Sequence, residues 1–173
     1  MILQQPSQLE QQPTQIISFN SPVEWTTFEG AESGFWLGLE QGVYYGQVVD
    51  GKRHGYGIAY STEDYGPEFY ECQWNNGSPI KGRYIWIIGN KWHKYEGSMD
   101  ETYRLTGNGS YHREDGIQYK GGYEYGKKHG QGRETKTDGT YDEGEWKDNI
   151  RVGVHKYYSK EGVLTKTQDH VNR

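Results

Sequence analysis

Two histidines, His54 and His129, occur in one and the same local setting, Gly-Lys-x-His-Gly, in a chain of 173 residues. Histidine is the side chain best placed to bind a metal or move a proton near neutral pH. A structural zinc site, however, needs four ligands converging on one point. His54 and His129 lie far apart, with the single cysteine, Cys72, between them. They are read as structural turn residues whose rings pack beside the next hairpin, and no metal or cofactor is expected. Cys72 alone makes no disulfide framework and is read as a small buried filler. Gly55-x-Gly57 and Gly130-x-Gly132 have the spacing of phosphate loops. They lack a following helix whose N-terminus would hold the anion. Glu143 and Glu145 stand two apart, on one face of a strand, as a solvated rim. No set of residues joins nucleophile, base and oxyanion donors, so the chain is not expected to be an enzyme.

Two other groups bear on binding. Lys52, Arg53, Lys127 and Lys128 fall in the Gly-Lys-x-His-Gly segments, and aligned turns would put them in a row suited to acidic phospholipid headgroups. Ser78-Pro79-Ile80-Lys81 and Glu101-Thr102-Tyr103-Arg104 interrupt that row, and a net charge of −5 weakens membrane attraction. The second group is aromatic: 16 Tyr, 6 Trp and 4 Phe. Such rings are the anchors enriched at protein-binding hot spots. Tyr84, Trp86, Tyr111, Tyr123 and Trp146 are the candidate protein-binding residues.

The elements that must position them repeat. Tyr44 to Gly57 and Tyr119 to Gly132 follow one template, Tyr-x-Gly-x-aromatic/apolar-x-x-Gly-x-x-x-Gly-x-Gly. Looser copies open at Tyr70, Tyr95 and Asp142, giving five units at spacings of 26, 25, 24 and 23 residues. The fifth template position runs Val48, Trp74, Met99, Tyr123, Trp146. A degenerate sixth unit is expected from about Ser21 to Gly42, with Trp25 at that position. Each unit holds two short β-prone runs separated by glycines, such as Tyr119-Lys120-Gly121-Gly122-Tyr123. Gly-Lys-x-His-Gly lies between the two runs and reads as a hairpin connection. Asp115-Gly116 and Asp138-Gly139 supply turns between units. Glycine is too frequent for helix across residues 44–165, and no 3.6-residue apolar stripe appears. The fold expected is all-β: an elongated single-layer antiparallel sheet of tandem hairpins. Tyrosine suits such a thin sheet, because rings lie flat over glycine backbone while hydroxyls reach polar partners. Units of this kind are stabilised chiefly by their neighbours.

The units resemble those of the MORN (membrane occupation and recognition nexus) repeat family. The pattern of tyrosine, glycine, tryptophan and Gly-Lys-x-His-Gly-x-Gly carries the resemblance over roughly residues 44 to 165. Cys72 replaces a motif glycine, and spacing before the final glycines varies in the units from Tyr70 and Tyr95. Val152 to Gly162 is similar to a variant of the motif common in bacterial proteins. The resemblance implies a gently twisted sheet with one grooved, aromatic-lined face. It also implies roles in ciliary, cytoskeletal or membrane-contact assemblies.

Residues 1–20, with six glutamines and two prolines, are expected to form a disordered arm, Ile16 to Phe19 capping the array's first edge. Residues 21–43 are the degenerate repeat or cap, 44–165 the array and 166–173 a tail. No basic residue precedes Lys52, so signal and transit peptides are not expected. No apolar run reaches spanning length, and a cytoplasmic location is expected, with cytoskeleton, cilium or membrane as associations. Residues 1–51 carry six acidic and no basic side chains, a charge of −6, leaving about +1 for the rest. That balance gives no concentrated basic face for nucleic acid. The function expected is a non-catalytic adaptor that binds a partner protein segment along its aromatic face, within a larger assembly. The alternatives are a peripheral module for acidic phospholipids, and a self-assembling or immunity-type repeat protein that forms homo-oligomers. In Arg83-Tyr84-Ile85-Trp86-Ile87-Ile88 both strand faces are apolar, so each face is expected to be covered, one by the array and the other by a partner segment or, when no partner is bound, by the N-terminal arm.

Overall fold

A chain punctuated by closely spaced tight turns returns beside itself, and among the described residues each strand pairs with the next. The computed structural model describes residues 23–28, 41–61 and 66–171. Among these, twelve strands form one open sheet in sequence order. They are β1 Val23–Phe28, β2 Gly42–Val49, β3 Lys52–Ser61, β4 Glu68–Asn75, β5 Ser78–Ile88, β6 Lys91–Met99, β7 Leu105–Arg113, β8 Gln118–Glu124, β9 Lys127–Thr135, β10 Tyr141–Lys147, β11 Ile150–Tyr158 and β12 Leu164–His170. Every pairing is antiparallel. Units one to five are the hairpins β2–β3, β4–β5, β6–β7, β8–β9 and β10–β11. The expected N-terminal arm lies outside the described residues. The expected tail does not begin at 166, because β12 pairs with β11 as far as His170.

Two turn types recur along the sheet, a two-residue turn that also joins units two and three at Gly89-Asn90, and a three-residue loop. Within units one, two, four and five the turn is two residues, both at positive φ: Asp50-Gly51, Asn76-Gly77, Tyr125-Gly126 and Asp148-Asn149. That is the mirror-image turn whose twist matches paired strands. Lys-x-His therefore opens the second strand instead of forming the connection. Unit three carries its extra residue in the loop Glu101-Thr102-Tyr103, closed by Asp100 N to Arg104 O at 2.9 Å. Between units, Glu114-Asp115-Gly116 and Thr137-Asp138-Gly139 are three-residue loops closed the same way. The glycine early in the second strand of four units has its own task. Gly55, Gly107, Gly130 and Gly153 sit at φ of 60–71°. Each accompanies a bulge in its hairpin. Only glycine adopts that backbone without strain.

The core lies on one side of the sheet, the ring face. Tyr44, Ala59, Tyr70, Tyr84, Tyr95, Tyr111, Tyr119, Glu134, Asp142 and Tyr157 stand in one cross-strand row. Each motif tyrosine lies over two glycines of its hairpin. A Cβ on Gly121 or Gly132 would sit 2.6 or 2.3 Å from the Tyr119 hydroxyl, and Gly97 and Gly109 stand likewise to Tyr95. The hydroxyl donates to the carbonyl three residues on: Tyr44 to Gln47, Tyr95 to Ser98, Tyr119 to Gly122, at 3.0–3.1 Å. The ring then meets edge-on the fifth-position ring of the following unit. Tyr44–Trp74, Tyr95–Tyr123 and Tyr119–Trp146 have centroids 5.2–5.8 Å apart. Such pairs are worth roughly 0.5–1.5 kcal/mol beyond the area they bury, and they tie each unit to the next.

Two units solve the same problem differently. In unit two Cys72 occupies the glycine position, so the Tyr70 ring stacks on Tyr84 at 4.3 Å. Cys72 is fully buried and its thiol is pushed up to about 12, chiefly by burial, as expected of an inert filler. In unit five Asp142 replaces the tyrosine and His155 replaces the final glycine. The His155 ring lies over Gly144, whose added Cβ would fall 2.4 Å from it. Its Nε2 reaches Glu145 O at 2.8 Å, the same three-on carbonyl, and its Nδ1 faces Asp142 Oδ2 at 2.9 Å. One ring still covers the backbone; it arrives from the opposite strand.

Candidate functional site

On the ring face each fifth-position residue has a cross-strand neighbour in its own hairpin. Val48, Trp74, Met99, Tyr123 and Trp146 pair with Arg53, Pro79, Leu105, Lys128 and Arg151. The Arg53 guanidinium lies 4.7 Å from the centre of the Phe28 ring and 4.8 Å from that of Trp74. It donates to Tyr103 Oη at 2.7 Å, and the buried Tyr103 in turn donates to Gly77 O at 3.1 Å. Arg151 plugs unit five, 4.4 Å from the Trp146 ring and doubly bonded to Asp142 at 2.8 Å. Across units three and four, between Leu105 and Lys128, a hollow opens.

This groove measures 450 Å³, at the lower end of the roughly 300–1,000 Å³ range of ligand pockets. Its apolar floor is Trp86, Leu105, Tyr111, Ile117 and Tyr123. Arg113, Lys128, Lys136 and Glu134 stand at its rim. β5, β7 and β8 deliver the floor rings, and β9 supplies Lys128 and Glu134. Trp86 is fixed by stacking on Tyr84 at 4.4 Å and on His93 at 5.2 Å. Tyr111 Oη and His93 Nδ1 are 2.7 Å apart. Burial first and the Arg113 guanidinium second hold His93 below its ordinary value, which favours the neutral ring. Lys128 is half-buried, ion-paired with Glu134, and 4.6 Å from the Trp146 ring centre. Burial, and then Arg151, lower its amine to about 8.

Of the five aromatic candidates, Trp86, Tyr111 and Tyr123 line the groove. Tyr84 and Trp146, each 2% exposed, are core rings with no surface left to offer a partner. Tyr123 is 8% exposed and forms floor instead of wall. The sequence reading did not single out Leu105, Ile117, Arg113 or Lys136. Nothing local marks them, since they meet only through pairing of β7, β8 and β9. The four cations do not make a row. Arg53 and Lys128 turn onto the ring face, while Lys52 and Lys127 are exposed, Lys127 lying 3.3 Å from Asp148. His129 is half-buried, its Nδ1 3.2 Å from Glu124.

The outer face of the sheet is of another kind. Glu71, Arg83 and Glu96 alternate in register across β4, β5 and β6, with Arg83 3.3 Å from Glu71 and 3.1 Å from Glu96. Beside them run shallow troughs of 710 and 830 Å³ over glycine backbone. In β5, Tyr84 and Trp86 join the ring stack, while Ile87 and Ile88 are exposed. Nothing among the described residues covers Ile87 or Ile88. Trp25 pairs with Tyr45 on the outer face and is 73% exposed, so it does not enter the ring stack as Trp74 and Trp146 do. No helix among the described residues is long and apolar enough to cross a membrane.

No curated protein matches the chain. The repeat family described as MORN repeat matches it at residues 44–62, 119–141 and 143–162, which are units one, four and five. Repeats of this kind are generally involved in protein–protein or membrane–lipid interactions and are typically non-enzymatic binding modules. With the tyrosine-over-glycine hairpins of these segments and the single twelve-stranded sheet to which they contribute, the chain carries MORN repeats at these three segments.

Proposed function

We propose that the chain is a non-catalytic adaptor that docks an extended segment of another protein on its ring face, within a larger assembly. The groove floored by Trp86, Tyr111 and Tyr123 carries the reading. Its rings are held from behind by stacking and by the His93–Tyr111 contact, so a bound side chain meets preformed walls. Rigid aromatic surface of that kind gives contact area at little entropic cost.

Selection of displayed random peptides against the whole chain tests it. Wild type is expected to enrich a defined peptide family, and folded Tyr111→Ala, checked by thermal melting, to lose it. Lys52→Glu with Lys127→Glu should leave binding within about tenfold, because exposed rim charges act mainly on association rate. Failure to enrich any family, or equal enrichment by Tyr111→Ala, would overturn the groove. Flotation with anionic liposomes abolished by the Lys52/Lys127 pair would move the assignment to lipid.

A further inference from the structure

We infer that the groove selects acidic segments: its occupant is a short stretch of a partner protein that presents an aromatic or aliphatic anchor flanked by carboxylates. This rests on the protein-docking reading above and adds the chemistry of the partner. The floor asks for the anchor, since Trp86, Leu105, Tyr111, Ile117 and Tyr123 offer an apolar seat with room for one or two large side chains. The rim asks for the acid. Of the charged residues lining the groove, Arg113, Lys128 and Lys136 are cationic and Glu134 alone is anionic, 3 − 1 = +2, in a chain whose net charge is −5.

The carboxylates at the rim are already shared. Glu134 pairs with Lys128 and also receives Arg151 Nη2 at 2.6 Å. Asp115 receives Arg113 at 2.6 Å and Lys91 at 3.4 Å. Arg151 is further held by Asp142, and Asp138 accepts from Thr140 N and Oγ1 at the turn beside Lys136. Three carboxylates, Glu134, Asp115 and Asp142, divided among four cations, Lys128, Arg151, Arg113 and Lys91, leave donors that an incoming carboxylate satisfies. Because Lys128 lies half-buried in an apolar surround, a new anion there is screened less than on the open rim. Residues 1–51, at −6, repel acidic segments, while the groove's lining charge of +2 exceeds the +1 of each trough on the outer face, so charge also favours landing there.

Three capped tripeptides, Phe-Glu-Glu, Phe-Lys-Lys and Ala-Glu-Glu, titrated into the whole ¹⁵N-labelled chain, test the inference, with the Trp86 indole N–H as reporter. Phe-Glu-Glu should bind at least about tenfold tighter than the other two at low salt. High salt or Lys136→Glu, an exposed position that leaves the fold intact, should shrink its advantage over Phe-Lys-Lys. Equal binding of Phe-Glu-Glu and Phe-Lys-Lys would overturn the charge selection and leave the docking reading standing. Ala-Glu-Glu binding as well as Phe-Glu-Glu would overturn the anchor. An unmoved Trp86 signal with all three would overturn both this inference and the groove.

Discussion

The exchange of a tyrosine for a histidine in unit five is a reciprocal pair of changes, and its consequences are measurable residue by residue. Asp142→Tyr alone would force a second ring into space that His155 fills, while His155→Gly alone would leave Asp142 buried with one partner fewer. The double substitution restores the tyrosine-over-glycine arrangement of units one, three and four. Chemical denaturation of the four proteins should therefore give a coupling energy of about 1–3 kcal/mol, the double variant being more stable than the summed singles. Additive losses would mean that the two positions are independent. Asp142 also sets a pH dependence. Its burial raises its pKa, but bonds from Arg151 and His155 outweigh burial and hold it below the ordinary carboxylate value. In acid the unfolded chain thus binds a proton at Asp142 before the folded chain does. The contribution is full above pH ~4 and fades as pH falls below it. Asp142→Asn should flatten that part of the stability–pH curve, read from denaturation midpoints across the acid range.

At the scale of the hairpin, the fifth-position ring is the joint between units. Trp146 is packed by Tyr119, His155, Lys128 and Arg151. Trp146→Ala should destabilise by about 3–5 kcal/mol, as aromatic truncations in packed sites do. A loss under about 1 kcal/mol would mean that the ring is not core. The turns give an opposite case. Tyr125 occupies the first position of a mirror-image turn at φ 49°, a conformation that suits asparagine better, and its side chain is exposed. Tyr125→Asn is expected to raise stability by roughly 0.5 kcal/mol without touching the groove. A destabilised variant would show that the tyrosine side chain contributes packing at this turn.

Over the whole molecule, each strand is bonded only to its neighbours in sequence, so disturbance should spread along one dimension. A chain ending at Gly162, without β12, would uncover the outer edge of β11 and remove the His170 ring, which lies 5.1 Å from His155. Amide exchange should quicken in β10 and β11 while β2 to β7 keep their protection. Uniform loss of protection would show that the array unfolds as a single block.

The sequence by itself determined the architecture, since its determinants are local. Glycine at fixed places allows a ring to lie flat and permits the bulge at Gly55 and Gly130; Asp50-Gly51 closes a hairpin whatever lies elsewhere. The spacing of Tyr44, Tyr70, Tyr95 and Tyr119 therefore announced strands, order and a thin sheet. The tertiary structure decided which rings and cations face a partner. Trp86 and Trp146 are alike in composition, but Trp146 is capped by Lys128 and Arg151, while Trp86 borders a hollow. Lys127 and Lys128 are adjacent, and alternation along the strand sends one outward and folds the other onto a ring. Openness at the groove depends on the residues that three neighbouring hairpins bring together, Trp86 from one, Leu105 and Tyr111 from the next, and Tyr123 and Lys128 from the third. Such a sum over distant positions is written in no single repeat, because each unit is completed by the side chains of the next.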